Sequence, residues 1–189
     1  MKCKLALACV VVVAWPLTTA AEEVCKTEQL KNPAPTLAEI YAKADAHAKA
    51  WKADAVPARV GNTSLGPLQP NGTSEAWNLM FYSESAKSHV SITTFRGTYR
   101  CWADVGTAGR IPALKPEFFR DGAKLYAVAR QNGEALLNQG YFVMLDTAAA
   151  PSNRHAMWYI NYSNKDSKSA NVTVILDANT GAVEQVIKN

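Results

Sequence analysis

The chain has 189 residues, with 20 Lys+Arg, 16 Asp+Glu and 3 His, and a formal net charge of +4. Lys2 and Lys4 lie in an apolar N-terminal leader. Without them 18 basic residues face 16 acidic ones, too even a balance to mark a nucleic-acid binder or a protein held on an anionic membrane.

Residues 1–21 read as a signal peptide. Lys2 and Lys4 form a basic start, Leu5 to Leu17 an apolar core, and Thr18-Thr-Ala-Ala21 a small-residue cleavage region. The apolar run contains Pro16 and is short for a bilayer span, so no membrane insertion is expected after cleavage. The expected product is periplasmic or secreted. Cys3 and Cys9 leave with the leader, so Cys25 and Cys101 remain as a pair in an oxidising compartment. Their separation matches no zinc or CxxC spacing, so a structural disulfide is expected and a metal site is not. Asn62, Asn71, Asn161 and Asn171 each head an Asn-x-Ser/Thr triplet, whose meaning depends on the source of the chain.

After the leader, residues 22–35 read as an arm ended by Pro33 and Pro35. Thr36-Leu-Ala-Glu39 is a capping box, and Leu37, Ile40, Tyr41, Ala44, Ala48 and Trp51 share the apolar face of the helix that follows. His47 falls on its polar face. Residues 56–74, rich in Pro and Gly, read as loop with short strand pieces at most. Strands are predicted at Trp77–Tyr82, His89–Phe95 and Thr98–Trp102, the last two joined by a tight Arg96-Gly97 turn.

Residues 105–118 read as a linker. Asp121 then caps a helix that Asn132-Gly133 is expected to end. Gly140–Thr147 reads as a strand and 148–154 as a loop. Trp158–Tyr162 and Val172–Leu176 are strands of β-branched and aromatic residues, and Asp177-Ala-Asn-Thr-Gly181 turns the chain into a last strand.

Three anchors recur in order. Ile40-Tyr-Ala-Lys-Ala44 answers Leu125-Tyr-Ala-Val-Ala129, Trp77 answers Trp158, and Gly97 answers Gly181, at offsets of 85, 81 and 84 residues. The expected fold class is α+β, as two tandem repeats of one helix packed on an antiparallel sheet, over 22–104 and 119–189.

The second half resembles a PepSY-type domain. The residues that carry this are Ala123, Ala127, Ala129 and Gly133, then Trp158-Tyr-Ile-Asn-Tyr162, then Val174-Ile-Leu-Asp-Ala-Asn-Thr-Gly-Ala-Val183. The first half fits only as a degenerate copy, since Thr94-Phe-Arg-Gly97 lacks the Asp-Ala pair. The resemblance implies a cystatin-like α+β fold and a binding or inhibitory module with no catalytic centre and no cofactor.

No GxSxG elbow, HExxH helix or phosphate loop is present in the sequence. His47, His89 and His155 are the three imidazoles, and no catalytic residue is assigned. Asp177 and Gly181 read as turn residues that bond their own backbone. Arg96, Tyr99, Arg100 and Trp102 are the candidate partner-binding group, against a reading in which they pack within the fold. Alternation places Arg100 and Trp102 on one face, and Tyr99 with Cys101 on the other. The function this favours is an exported non-enzymatic protein binder, an inhibitor or immunity protein whose partner is another exported or envelope protein. The alternative is a small-molecule binder or enzyme using the concave face of a cystatin-like sheet.

Overall fold

Apolar positions two apart and helical stripes must find cover, and here a single sheet supplies it for both halves of the chain. The computed structural model describes residues 22–105, 119–149, 155–166 and 168–188. The expected leader (1–21) and all but the first residue of the expected linker (105–118) lie outside them. The elements in chain order are β1 (Glu22–Gln29), α1 (Leu37–Trp51), β2 (Val56–Asn62), β3 (Trp77–Ser83), β4 (Ser88–Phe95) and β5 (Thr98–Val105). After these come α2 (Gly122–Asn138), β6 (Phe142–Ala149), β7 (Ala156–Ser163), β8 (Ser169–Asp177) and β9 (Val183–Lys188).

The nine strands form one antiparallel sheet in the order β1-β5-β4-β3-β2-β6-β7-β8-β9. This corrects the expected fold class. The chain is mostly β, and it does not form two tandem helix-on-sheet repeats. Two misread segments account for the difference. Residues 22–29, expected as an arm, pair with β5 as the edge strand β1. Residues 56–62, expected as loop with short strand pieces at most, form β2 and join the two halves. Pro57 is tolerated because a bulge lies between it and Arg59 and only β3 pairs with β2 there.

Side chains do most of the work at the β2–β6 junction. Its one ladder pair is Gly61 with Asp146. On one side of that pair the Thr147 hydroxyl accepts from the Val60 N–H at 2.7 Å and donates to the Val60 carbonyl at 3.1 Å. On the other, Asn62 Oδ1 accepts from the Leu145 N–H at 2.6 Å, and its amide nitrogen donates to the Gly66 carbonyl at 2.9 Å. Thr147 and Asn62 thus satisfy buried backbone groups that a longer ladder would have paired.

Both helices cover the same face. Leu37, Ile40, Ala44 and Ala48 of α1 and Leu125 and Ala129 of α2 share one core with Leu79, Phe81, Ile92, Leu145, Trp158 and Ile160. A chain of rings crosses the junction. Phe119 stacks on Trp158 at 5.2 Å and meets Tyr41 edge-on at 5.3 Å, and Tyr41 lies 5.8 Å from Phe81. Burial beside Asp45 pushes the Tyr41 phenol up to about 12.

The capping box at Thr36 and Glu39 starts α1. α2 breaks at the expected stop, where Gly133 has non-helical angles, and a second helical stretch then runs on to Asn138. The Tyr162 ring lies where a Cβ on residue 133 would project, and its hydroxyl donates to the Ala129 carbonyl at 2.6 Å. Tyr162 thereby occupies the carbonyl four residues before the kink, so the helix bends without leaving it unpaired. Burial raises this phenol to about 12.

Candidate functional site: the open face of the sheet

Cross-strand partners in an antiparallel ladder point to the same side. The row opposite the helices can therefore be read from register. Arg100, Thr93, Asn78 and Gly61 stand side by side on β5, β4, β3 and β2, and Asp146, Tyr159, Ile175 and Gln185 continue the row to β9. The neighbouring row in the first half is Glu23, Trp102, Ser91, Met80 and Arg59, and in the second half Met144, Asn161, Thr173 and Ile187. Neither α1 nor α2 covers this face.

Three surface regions follow. At the β5 end, exposed Arg100 and half-buried Trp102 flank Met80 and Ser91. At the β7–β9 end, partly exposed Tyr159 and Ile187 pack over the buried pair Met157 and Ile175. Between them the thin β2–β6 junction opens into a cleft of about 330 Å³, lined by Arg59, Gly61, Asn62, Asn78, Met144, Asp146 and Asn161 among others. Arg59 and Asp146 clamp its rim with a bidentate pair, Nε to Oδ1 at 2.8 Å and Nη2 to Oδ2 at 2.6 Å. Asp146 raises the Arg59 guanidinium above its ordinary value. Arg59, Asn62, Asn78, Asp146 and Asn161 bring amides, a carboxylate and a guanidinium into this lining, alongside Met144.

The four expected partner-binding residues separate in space. Arg100 and Trp102 lie on the open face. Tyr99 is fully buried, and its hydroxyl meets His47 Nδ1 at 2.8 Å, under Lys43 at 5.3 Å from the ring. Its phenol is pushed up chiefly by burial and further by Glu28. Arg96 occupies the β4–β5 turn with a φ of 47° and pairs with Glu75 at 3.5 Å. Arg59 is not singled out by the sequence because residues 56–74 read as loop there, and Asn78, Asp146 and Asn161 are not brought together because their strands become neighbours only through β2. Their only advance signal was the exposed parity of each strand.

Cys25 and Cys101 face each other on β1 and β5 and are disulfide-bonded, with Cα atoms 5.4 Å apart. Asp177 ends β8. Its Oδ1 accepts from the Asn179 and Thr180 N–H groups at 2.8 and 2.7 Å, and Gly181 takes the left-handed angle of 72° that the turn requires. These bonds outweigh partial burial and hold the Asp177 carboxyl below its ordinary range.

The histidines fall on three elements: His47 on α1, His89 on β4, and His155 just before β7, bonded to Glu184 at 2.6 Å. Among the described residues, no helix is long and apolar enough to cross a membrane. No family model, curated protein or solved structure matches the chain.

Proposed function

We propose that this is an exported, non-enzymatic protein-binding module that docks its partner on the open face of the sheet. The observation that carries this reading is the make-up of that face. Trp102, Tyr159, Met80, Met144, Arg59 and Arg100 are the residue types enriched at protein interfaces, and none of the described residues in its two central rows is a lysine. Two apolar-aromatic ends around a polar middle suit a partner that buries the ends and hydrogen-bonds across the cleft.

Export to the periplasm or beyond is supported by the leader-like residues 1–21 and by the Cys25–Cys101 bond. The likeness of Trp158–Val183 to PepSY-type segments supports a binding or inhibitory role. A protease, a cell-wall hydrolase or a delivered toxin is the class of partner such an inhibitor or immunity protein would meet.

Immobilised protein is incubated with periplasmic and secreted fractions, and what it retains is identified by mass. The purified partner is then titrated against Trp102→Ala, Tyr159→Ala and Arg100→Ala. Truncating an interface anchor is expected to weaken binding at least tenfold while the melting temperature stays within about 2 °C. Equal affinity in all three variants would move the interface off this face.

A further inference from the structure

We infer that His155, Asp177 and Glu184 form a binding site for a divalent transition ion of the zinc class. The three residues come from the start of β7, the end of β8 and the second position of β9. Antiparallel pairing brings them to one corner of the sheet, where Asp177 stands opposite Met157 and the β8–β9 ladder is bulged near Glu184. His155 Nε2 lies 2.6 Å from Glu184 Oε1 and 3.9 Å from Asp177 Oδ2, and all three donor atoms fall within 4.8 Å of one another. Ligands bound about 2.0–2.1 Å from a tetrahedral ion sit about 3.3 Å apart. The two edges meeting at the imidazole bracket that spacing, so an ion enters with side-chain adjustments below about 1 Å.

The donors are also held in place from behind. Asp177 uses Oδ1 for the two turn N–H groups, which leaves Oδ2 directed at the imidazole. The strand ends are tied by the Ala178 N–H to the Ala156 carbonyl at 2.8 Å and the Asp177 N–H to the Ala182 carbonyl at 3.0 Å. Bonds that orient a metal-ligating carboxylate in this way are what a metal site needs behind its ligands. The side chains keep 30%, 19% and 38% of their surface exposed, so an ion has an entry path and a fourth position for water.

One imidazole with two carboxylates and no thiolate favours zinc-like ions over magnesium or calcium, and the two negative charges balance a divalent cation. The other close donor group among the described residues, Cys25, His47 and Cys101, has its sulfurs joined to each other and offers no thiolate. An ion at the corner would cross-link β7, β8 and β9. The last of these is an edge strand, held on one side only.

The test uses untagged protein stripped with chelator, titrated with zinc chloride by calorimetry, with cobalt chloride as a visible-absorbance probe and magnesium chloride as control. Expected are one zinc per chain, a cobalt d–d band, and a melting temperature raised by about 5–10 °C at zinc near one hundred times Kd. His155→Ala and Glu184→Gln should each abolish all three signals. The Glu184 change sits on an exposed strand, and circular dichroism verifies that it leaves the fold intact. His47→Ala and His89→Ala should leave the signals unchanged. Absence of stoichiometric zinc, binding that survives His155→Ala, or an equal response to magnesium overturns the assignment.

Discussion

Thr147→Val tests how the sheet is held together at its thinnest point. The substitution keeps nearly the same shape, so packing changes little, but it removes the one oxygen that serves both backbone groups of Val60. Val60 is fully buried and Thr147 is 4% exposed, so water does not readily replace the lost partner. Each orphaned buried group costs about 1–3 kcal/mol, and partial relaxation puts the pair at roughly 2–4 kcal/mol. For a chain of this size that lowers the melting temperature by roughly 5–15 °C. Thr147→Ser retains the hydroxyl and should lose less than about 1.5 kcal/mol, for the missing methyl. The assay is urea unfolding followed by circular dichroism, together with amide exchange at Val60, which should quicken in the valine variant and not in the serine one. If valine costs under about 0.5 kcal/mol, or serine is as damaging as valine, the side-chain account of the junction is wrong.

Four further outcomes are expected. Gly133→Ala places a Cβ against the Tyr162 ring and should cost about 3 kcal/mol or more in chemical denaturation, whereas Tyr162→Phe, which loses only the bond to the Ala129 carbonyl, should cost about 1–2 kcal/mol. Replacing both Cys25 and Cys101 with Ser frees a sequence separation of 76 residues and should lower stability by roughly 4–5 kcal/mol, read as the midpoint shift between the variant and the unreduced protein. Asp54 accepts from the Ser85 N–H and from the Ser83 and Ser85 hydroxyls, which lower its carboxyl from 3.8 to about 2. A depressed folded value means stability that is present above the unfolded pKa and lost as pH falls through the folded one, so wild type should lose stability between about pH 4 and pH 2 more steeply than Asp54→Asn. Alanine at His47 and His89 together should leave any turnover found in the protein unchanged, and a loss would reopen imidazole catalysis.

Much of the local structure follows from short-range chemistry and needed nothing beyond the sequence. Thr36 and Glu39 mark the start of α1 because both partners of the box lie within one turn, with the Thr36 N–H donating to Glu39 at 2.7 Å. Arg96-Gly97 and Asp177–Gly181 encode their turns within a few residues. The alternation from Thr98 to Trp102 sets which side chains face the core. The pairing of Cys25 with Cys101 was expected because they are the two cysteines outside the expected leader.

Tertiary structure decided what those local rules leave open. Pro57 and Gly61 argue against a strand when read alone, yet β2 forms because β3 and the side chains of β6 satisfy its backbone. The partner that makes this possible, Thr147, lies 87 residues beyond Val60. Gly133 breaks the helical angles as its local propensity predicts, but the second helical stretch that follows it to Asn138, and the tyrosine 29 positions later that packs against the break, are set by the tertiary structure. The open face and the corner of His155, Asp177 and Glu184 exist only through register across strands. Hydrophobic period and turn residues specify a strand and its two sides. Which strands become neighbours depends on where distant donors and acceptors find each other in the folded chain.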